Sequence, residues 1–183
     1  MVLSNSEAQF YECDDGEKHK IENKTYHLTS SQGENLVFSP ISDVYVGKQG
    51  TVVDAYQINV LGDNPERISA YGASMTDGGE LILTNSHFKD IPGLRAQDAV
   101  ISMTDGSIQG SLQAVYALGG KADIALVRIN VEIEPGNLNT RSIGIVSGFG
   151  AFVRISGSTF NFKESGSFLT RFRGGGIFSI TLQ

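Results

Sequence analysis

Two residues able to perform acid–base chemistry stand at the ends of apolar segments. His87 closes the segment that begins at Leu81, where the apolar pattern gives way to the loop 89–93. Asp123 directly precedes a second apolar segment, 124–129. Burying a carboxylate at such a position requires a basic or hydrogen-bonding partner. We therefore expect Asp123 to orient His87, which would act as a general base. The alternatives are a histidine bonded to backbone and an aspartate in a turn.

The residues around both positions resemble a known family. Thr84-Asn85-Ser86-His87 and the segment 122–129 are similar to the histidine and aspartate motifs of trypsin-like (chymotrypsin-fold) serine proteases, and closest to the HtrA-like branch. The resemblance covers residues 68–130. It implies two antiparallel β-barrels and a serine endopeptidase that works through an acyl-enzyme.

The nucleophile motif of that family, Gly-x-Ser-Gly-Gly, is not intact. In the segment 172–178 Arg173 takes the position of the serine, and a guanidinium cannot be a nucleophile. Ser165 is the best remaining hydroxyl, although other serines crowd this region. The resemblance thus implies His87, Asp123 and Ser165 as catalytic residues. It leaves open an active endopeptidase, a catalytically dead protease-like binding or assembly module, and an unrelated β-domain.

Short apolar segments separated by glycine-rich turns predict an all-β chain. We expect residues 1–35 to form an acidic, loosely ordered arm, and residues 36–130 an N-terminal antiparallel barrel that carries the histidine and aspartate. Residues 138–183 would form a short or partial C-terminal barrel. Ten residues follow Arg173, too few to close that barrel, so an oligomer or a partner chain is one way to complete it.

Composition limits the classes of partner. The net charge of −6 argues against nucleic acid, and no segment is apolar enough to be a membrane span. A peptide or protein substrate is therefore expected. His19, His27 and His87 lack metal-ligand spacing and there is no phosphate-binding loop, so neither a metal nor a cofactor is expected.

The single cysteine, Cys13, excludes a disulfide within the chain. The first residues show neither a basic nor an apolar signal region. Together these features favour the cytoplasm or a processed polyprotein product, without fixing the localisation.

Overall fold

The chain forms short β-strands that all pair in parallel. The computed structural model describes residues 16–28, 50–62, 71–135, 142–163, 168–173 and 177–181, and no helix occurs among them. The strands are β1 (Lys18–Glu22), β2 (Thr25–Leu28), β3 (Val52–Tyr56), β4 (Asn59–Gly62), β5 (Ala73–Thr76), β6 (Glu80–Thr84), β7 (His87–Lys89), β8 (Leu94–Gln97), β9 (Val100–Ser111), β10 (Val115–Leu118), β11 (Asp123–Ile133), β12 (Ile143–Gly148), β13 (Phe152–Ser156), β14 (Thr159–Phe162), β15 (Phe168–Arg173) and β16 (Ile177–Thr181).

Strands at equivalent places in successive turns of the chain stack into three sheets. Sheet 1 contains β1, β3, β6, the first half of β9, the first half of β11, β13 and β16. Sheet 2 contains β2, β4, β7, the second halves of β9 and β11, and β14. Sheet 3 contains β5, β8, β10, β12 and β15. One turn of the chain visits the three sheets in that order, which is the architecture of a parallel β-helix.

The interior is built from columns of inward-facing side chains. Alternation along each strand sends every second side chain inward, as in the burial of β6, where Leu81 and Leu83 are buried between more exposed neighbours. Because neighbouring strands pair in register, the inward-facing residues of successive turns stack on one another. One column on sheet 1 consists of Val53, Leu81, Ile101, Ile124 and Val153, all at most 1% exposed. Sheets 2 and 3 contribute matching columns, such as Val60, Phe88, Ile108 and Val131 in sheet 2 and Ala73, Leu94, Val115 and Ile145 in sheet 3.

The corners between sheets differ in length. Sheets 1 and 2 are separated by two residues where the strands are distinct, and they are continuous through β9 and β11. The connection from sheet 2 to sheet 3 is variable. Three residues, 112–114, follow β9, whereas ten, 63–72, follow β4.

The predicted trypsin-like architecture is wrong. Every strand pair in the described chain is parallel, whereas chymotrypsin-fold barrels are antiparallel. The resemblance to serine proteases in Thr84–His87 and 122–129 therefore does not extend to the fold, and the protease and hydrolase assignments lose their basis. The segments were correctly expected to be strands with one buried side, but that pattern is the same for both pairing directions.

The predicted domain boundaries fall within a continuous stack. β1 and β2, from the proposed arm, pair with β3 and β4. β11 extends past the end of the proposed first barrel, to Ile133, and it pairs in sheet 1 with β13, which belongs to the proposed second barrel. Residues 1–15 and 29–49, which include most of the proposed arm and the start of the proposed first barrel, lie outside the described residues.

Within the part of the chain described, no helix is both long and apolar enough to span a bilayer.

Candidate functional site

His87 meets a serine that sequence reasoning did not single out. It is the first residue of β7, its side chain is exposed, and its Nδ1 lies 2.9 Å from Oγ of Ser107. The two residues are direct neighbours in register on sheet 2. Ser107 follows Asp105-Gly106, a pair whose sequence is typical of a turn between strands; β9 instead continues through it.

Asp123 is engaged elsewhere. The Nε of Arg154 donates to Asp123 Oδ1 at 3.1 Å, and its Nη2 donates to Oδ2 at 2.7 Å. Asp123 begins the sheet 1 half of β11, whereas the residue of β11 on the level of His87 is Asn130, seven positions further on (130 − 123). The structure therefore does not bring His87 and Asp123 together.

The third predicted site residue cannot be placed. Ser165 and the glycines 174–176 lie outside the described residues. Arg173 is the last residue of β15, in sheet 3.

Polar residues instead form two rows along the corner between sheets 1 and 2. The first, the bend row, contains the one residue with a positive φ that each described turn has at this corner: Asn23, Gln57, Asn85, Asp105, Arg128 and Gly157. The second, the strand row, lies two residues later, on the outer side of sheet 2: Thr25, Asn59, His87, Ser107, Asn130 and Thr159. The signal in the sequence is a polar-x-polar triplet once per turn, most plainly Gln57-x-Asn59 and Asn85-x-His87.

The local backbone explains the residue types of the bend row. A left-handed residue turns the chain from one sheet into the next, with φ between 50° and 56° at these positions. Asn and Asp tolerate this conformation because their short polar side chains bond locally, and glycine has no Cβ to clash. The left-handed bend therefore accounts for the Asn, Asp and Gly members of the bend row without a ligand, and it does not account for Gln57 and Arg128.

The first three turns of the two rows enclose a groove. It has a volume of about 360 Å³ and is lined by amides, a hydroxyl and an imidazole: Asn23, Thr25, Gln57, Asn59, Asn85 and His87. Each amide offers both donors and an acceptor, and the threonine hydroxyl does the same. The lining carries no permanent charge.

Hydrogen bonds join neighbouring members of the rows in the following turns. Thr159 Oγ1 donates to Asn130 Oδ1 at 2.8 Å. Arg128 makes a two-pronged ion pair with Asp105, with its Nε and Nη2 each 2.6 Å from a carboxylate oxygen. The hydrogen bond from Arg128 holds the pKa of Asp105 below its ordinary value, so Asp105 is ionised and the pair is neutral overall.

The His87–Ser107 pair is not completed into a triad. A triad needs a third group that orients the base, commonly a buried carboxylate. Among the described residues the one hydrogen bond of the His87 ring goes to Ser107, and the nearest member of the bend row with a carboxylate, Asp105, is held by Arg128.

A larger depression, about 680 Å³, lies at the corner between sheets 3 and 1. It is lined by Asp77, Gly78, Asp98, Ala99, Val100 and Lys121. The Asp98 carboxylate accepts the Lys121 backbone N–H at 3.3 Å, and Asp77 accepts the Thr76 hydroxyl at 3.1 Å. Both carboxylates thus hydrogen-bond within the local structure of this corner. We therefore place the candidate site at the corner between sheets 1 and 2. No cluster suited to a metal ion occurs among the described residues.

Comparison of the chain with models of protein families, with curated proteins and with solved structures found no match.

Proposed function

We propose that this protein binds a neutral carbohydrate in the groove between sheets 1 and 2, without catalysing a reaction on it. The observation that supports the proposal is the lining of that groove, which is made of neutral side chains able to donate and accept at once. Sugar hydroxyls require the same double capacity, because each is both a donor and an acceptor.

Charge favours a neutral ligand over an anionic one. The chain carries a net charge of −6, which repels polyanions such as nucleic acids or acidic glycans. The groove adds no lysine or arginine side chain to offset that field.

An aromatic ring stands beside the groove. Tyr56 directly precedes Gln57, lies on the outer side of sheet 1, and is 40% exposed although it is a large hydrophobic residue. An exposed tyrosine offers a flat apolar face together with a polar tip. The C–H face of a pyranose ring would pack on such a surface while its hydroxyls reach the amides.

Of the functions that the sequence left open, this proposal retains a binding module that does not catalyse a reaction. An endopeptidase would need a carboxylate beside His87, and the carboxylate expected there, Asp123, is paired with Arg154. A peptide is the competing ligand for a polar groove, and the experiment below includes one.

The test is affinity electrophoresis through gels that contain xylan, mannan or mixed-linked β-glucan. We expect at least one gel to retard the protein, and we expect Asn59→Ala to weaken the retardation about five- to tenfold, since one or two hydrogen bonds are lost. Asn161→Ala is the matched control: Asn161 is also exposed on sheet 2 but lies outside both rows. Casein in a parallel gel tests peptide binding.

Migration unchanged in all three glycan gels would overturn the proposal. Retardation by casein that is lost in Asn59→Ala would replace the carbohydrate with a peptide. Equal weakening by Asn59→Ala and Asn161→Ala would show that the groove is not the binding site.

A further inference from the structure

We infer that the ligand is a linear glycan that lies along the axis of the β-helix and continues past the groove, over Ser107, Asn130 and Thr159. This inference rests on the proposed carbohydrate function and assigns its ligand class and orientation. It adds three binding positions that lie outside the groove itself.

The first argument is the distance between equivalent side chains along the axis of the β-helix. Neighbouring strands in a sheet are ~4.7–4.9 Å apart, so equivalent side chains recur at that interval along the axis. The strand row keeps this register over six turns, from Thr25 to Thr159. One ring of an extended β-1,4-linked glycan is close to this interval in length. Such a chain can therefore present one sugar to each turn.

An extended peptide does not share this repeat. Its residues advance by ~3.3 Å, so its polar groups fall out of step with the rows within a few turns. The long register therefore favours a glycan chain more strongly than the groove alone does, because the groove spans only three turns.

The positions beyond the groove remain open to a ligand. Asn130 and Thr159 are exposed, and Ser107 is half-buried. The bond between Thr159 and Asn130 uses the amide oxygen as acceptor, so the amide N–H groups of Asn130 remain as donors. Ser107 likewise contributes a hydroxyl next to His87.

The charged members of the bend row do not interrupt this path. Asp105 and Arg128 neutralise each other through two short hydrogen bonds, and both are exposed on the outer surface. The extended surface is therefore neutral overall like the groove, and it offers a fixed guanidinium and carboxylate that a sugar hydroxyl can reach. A neutral chain meets no net charge from Asn23 to Thr159.

Isothermal titration calorimetry on the full chain tests the inference with matched short and long probes. These are xylobiose and xylohexaose, mannobiose and mannohexaose, and cellobiose and cellohexaose. For the series whose polysaccharide retards the protein, we expect the six-residue glycan to bind at least about tenfold more tightly than the two-residue one. Asn130→Ala should weaken binding of the hexaose about fivefold and leave the biose unchanged.

Asn161→Ala again serves as the control and should affect neither length. Equal affinities for biose and hexaose, or a hexaose affinity that Asn130→Ala does not change, would overturn this inference while the groove remains a carbohydrate site. Absence of binding to every probe and every gel would overturn the proposed function and this inference with it. Thermal melting of Asn130→Ala verifies that any loss of affinity is not a loss of folded protein.

Discussion

Single residues with positive φ make every bend between sheets 1 and 2, and their chemistry decides what the corner presents to solvent. Asn85 and Asp105 suit the left-handed conformation, whereas Gln57 and Arg128 adopt it without a short polar side chain to help. Strain of this kind persists only where the surroundings fix the backbone. At Arg128 the two-pronged bond to Asp105 supplies part of that support.

The Asp105–Arg128 pair predicts a pH-dependent stability. Since the pKa of Asp105 is lowered in the folded state, its contribution is present above the unfolded pKa of about 4 and is lost as the pH falls through the folded pKa. Asp105→Asn should therefore lower the melting temperature at pH 7, and the difference from the unmodified protein should shrink as the pH falls below about 4. Differential scanning calorimetry across this range measures both.

The effect should be small, because both side chains are exposed and solvent screens the pair. In an Arg128→Gln background, Asp105→Asn should produce no pH-dependent difference. A difference that persists unchanged down to pH ~2 would mean that the carboxylate acts through something other than this ion pair.

Gly106 is required by close contact rather than by its own φ. A Cβ at this position would meet the Ser86 carbonyl oxygen of the preceding turn, with Met103 Cε at 2.8 Å. Gly106→Ala should lower the free energy of unfolding by roughly 1–3 kcal/mol, because the neighbouring turns must separate to admit the methyl group. Urea unfolding measures the change.

Gly120→Ala is the matched substitution. The nearest atom to a Cβ there is the Phe149 carbonyl oxygen at 4.0 Å, so this change should stay within about 0.5 kcal/mol. If both alanines proved equally tolerated, the spacing of turns at the corner would be looser than the structure has it.

At the scale of elements, the buried side chains of sheet 2 fix the position of the strand row on its outer face. Phe88 is fully buried in β7, between Val60 of β4 and Ile108 of β9, and its two neighbours in sequence, His87 and Lys89, face outward. The side chain that anchors the strand is thus adjacent to the one that lines the groove.

Truncation of this anchor should be costly. Phe88→Ala should lower the free energy of unfolding by roughly 3–5 kcal/mol, since a large buried ring leaves a cavity. Phe152→Ala, at a phenylalanine that is 42% exposed on sheet 1, should cost less than about 1.5 kcal/mol. Chemical denaturation compares the two. Similar losses at the two sites would show that Phe88 does not support the core as described.

Several strands were predictable from the sequence, and their partners were not. The segment 81–84 falls within β6, and 124–129 falls within β11, because an apolar alternation marks one buried side. The same alternation occurs in parallel and antiparallel sheets. Asp105-Gly106 resembles a hairpin turn in sequence, but here Asp105 bends a strand that continues.

The candidate site was predictable to a smaller extent. His87 was singled out and does line the groove, but the reason given for it was a partnership with Asp123 that the structure does not contain. Gln57 and Asn59 carry no recognisable motif. They become neighbours of His87 only through strand pairing, which a single sequence does not encode as a local pattern.

At the scale of the whole molecule, the helical repeat is hidden by unequal turns. The sheet 1 strands begin at residues 18, 52, 80, 100, 123, 152 and 177, so successive turns take 34, 28, 20, 23, 29 and 25 residues. A repeat of fixed period would have revealed a stacked architecture. Because the turns differ in length, the columns of the core align in space but not at any constant spacing in the sequence.

The difference in turn length arises mainly in the connection from sheet 2 to sheet 3. This affects where the sequence can vary in length during evolution. Insertions and deletions at the connection from sheet 2 to sheet 3 change the length of that connection and leave both flanking strands in register. The corner between sheets 1 and 2 has no such freedom, because one added residue would displace the strand row. Length variation and the proposed binding surface thus lie at opposite ends of sheet 2, so that the length of one end can vary while the geometry of the other is kept.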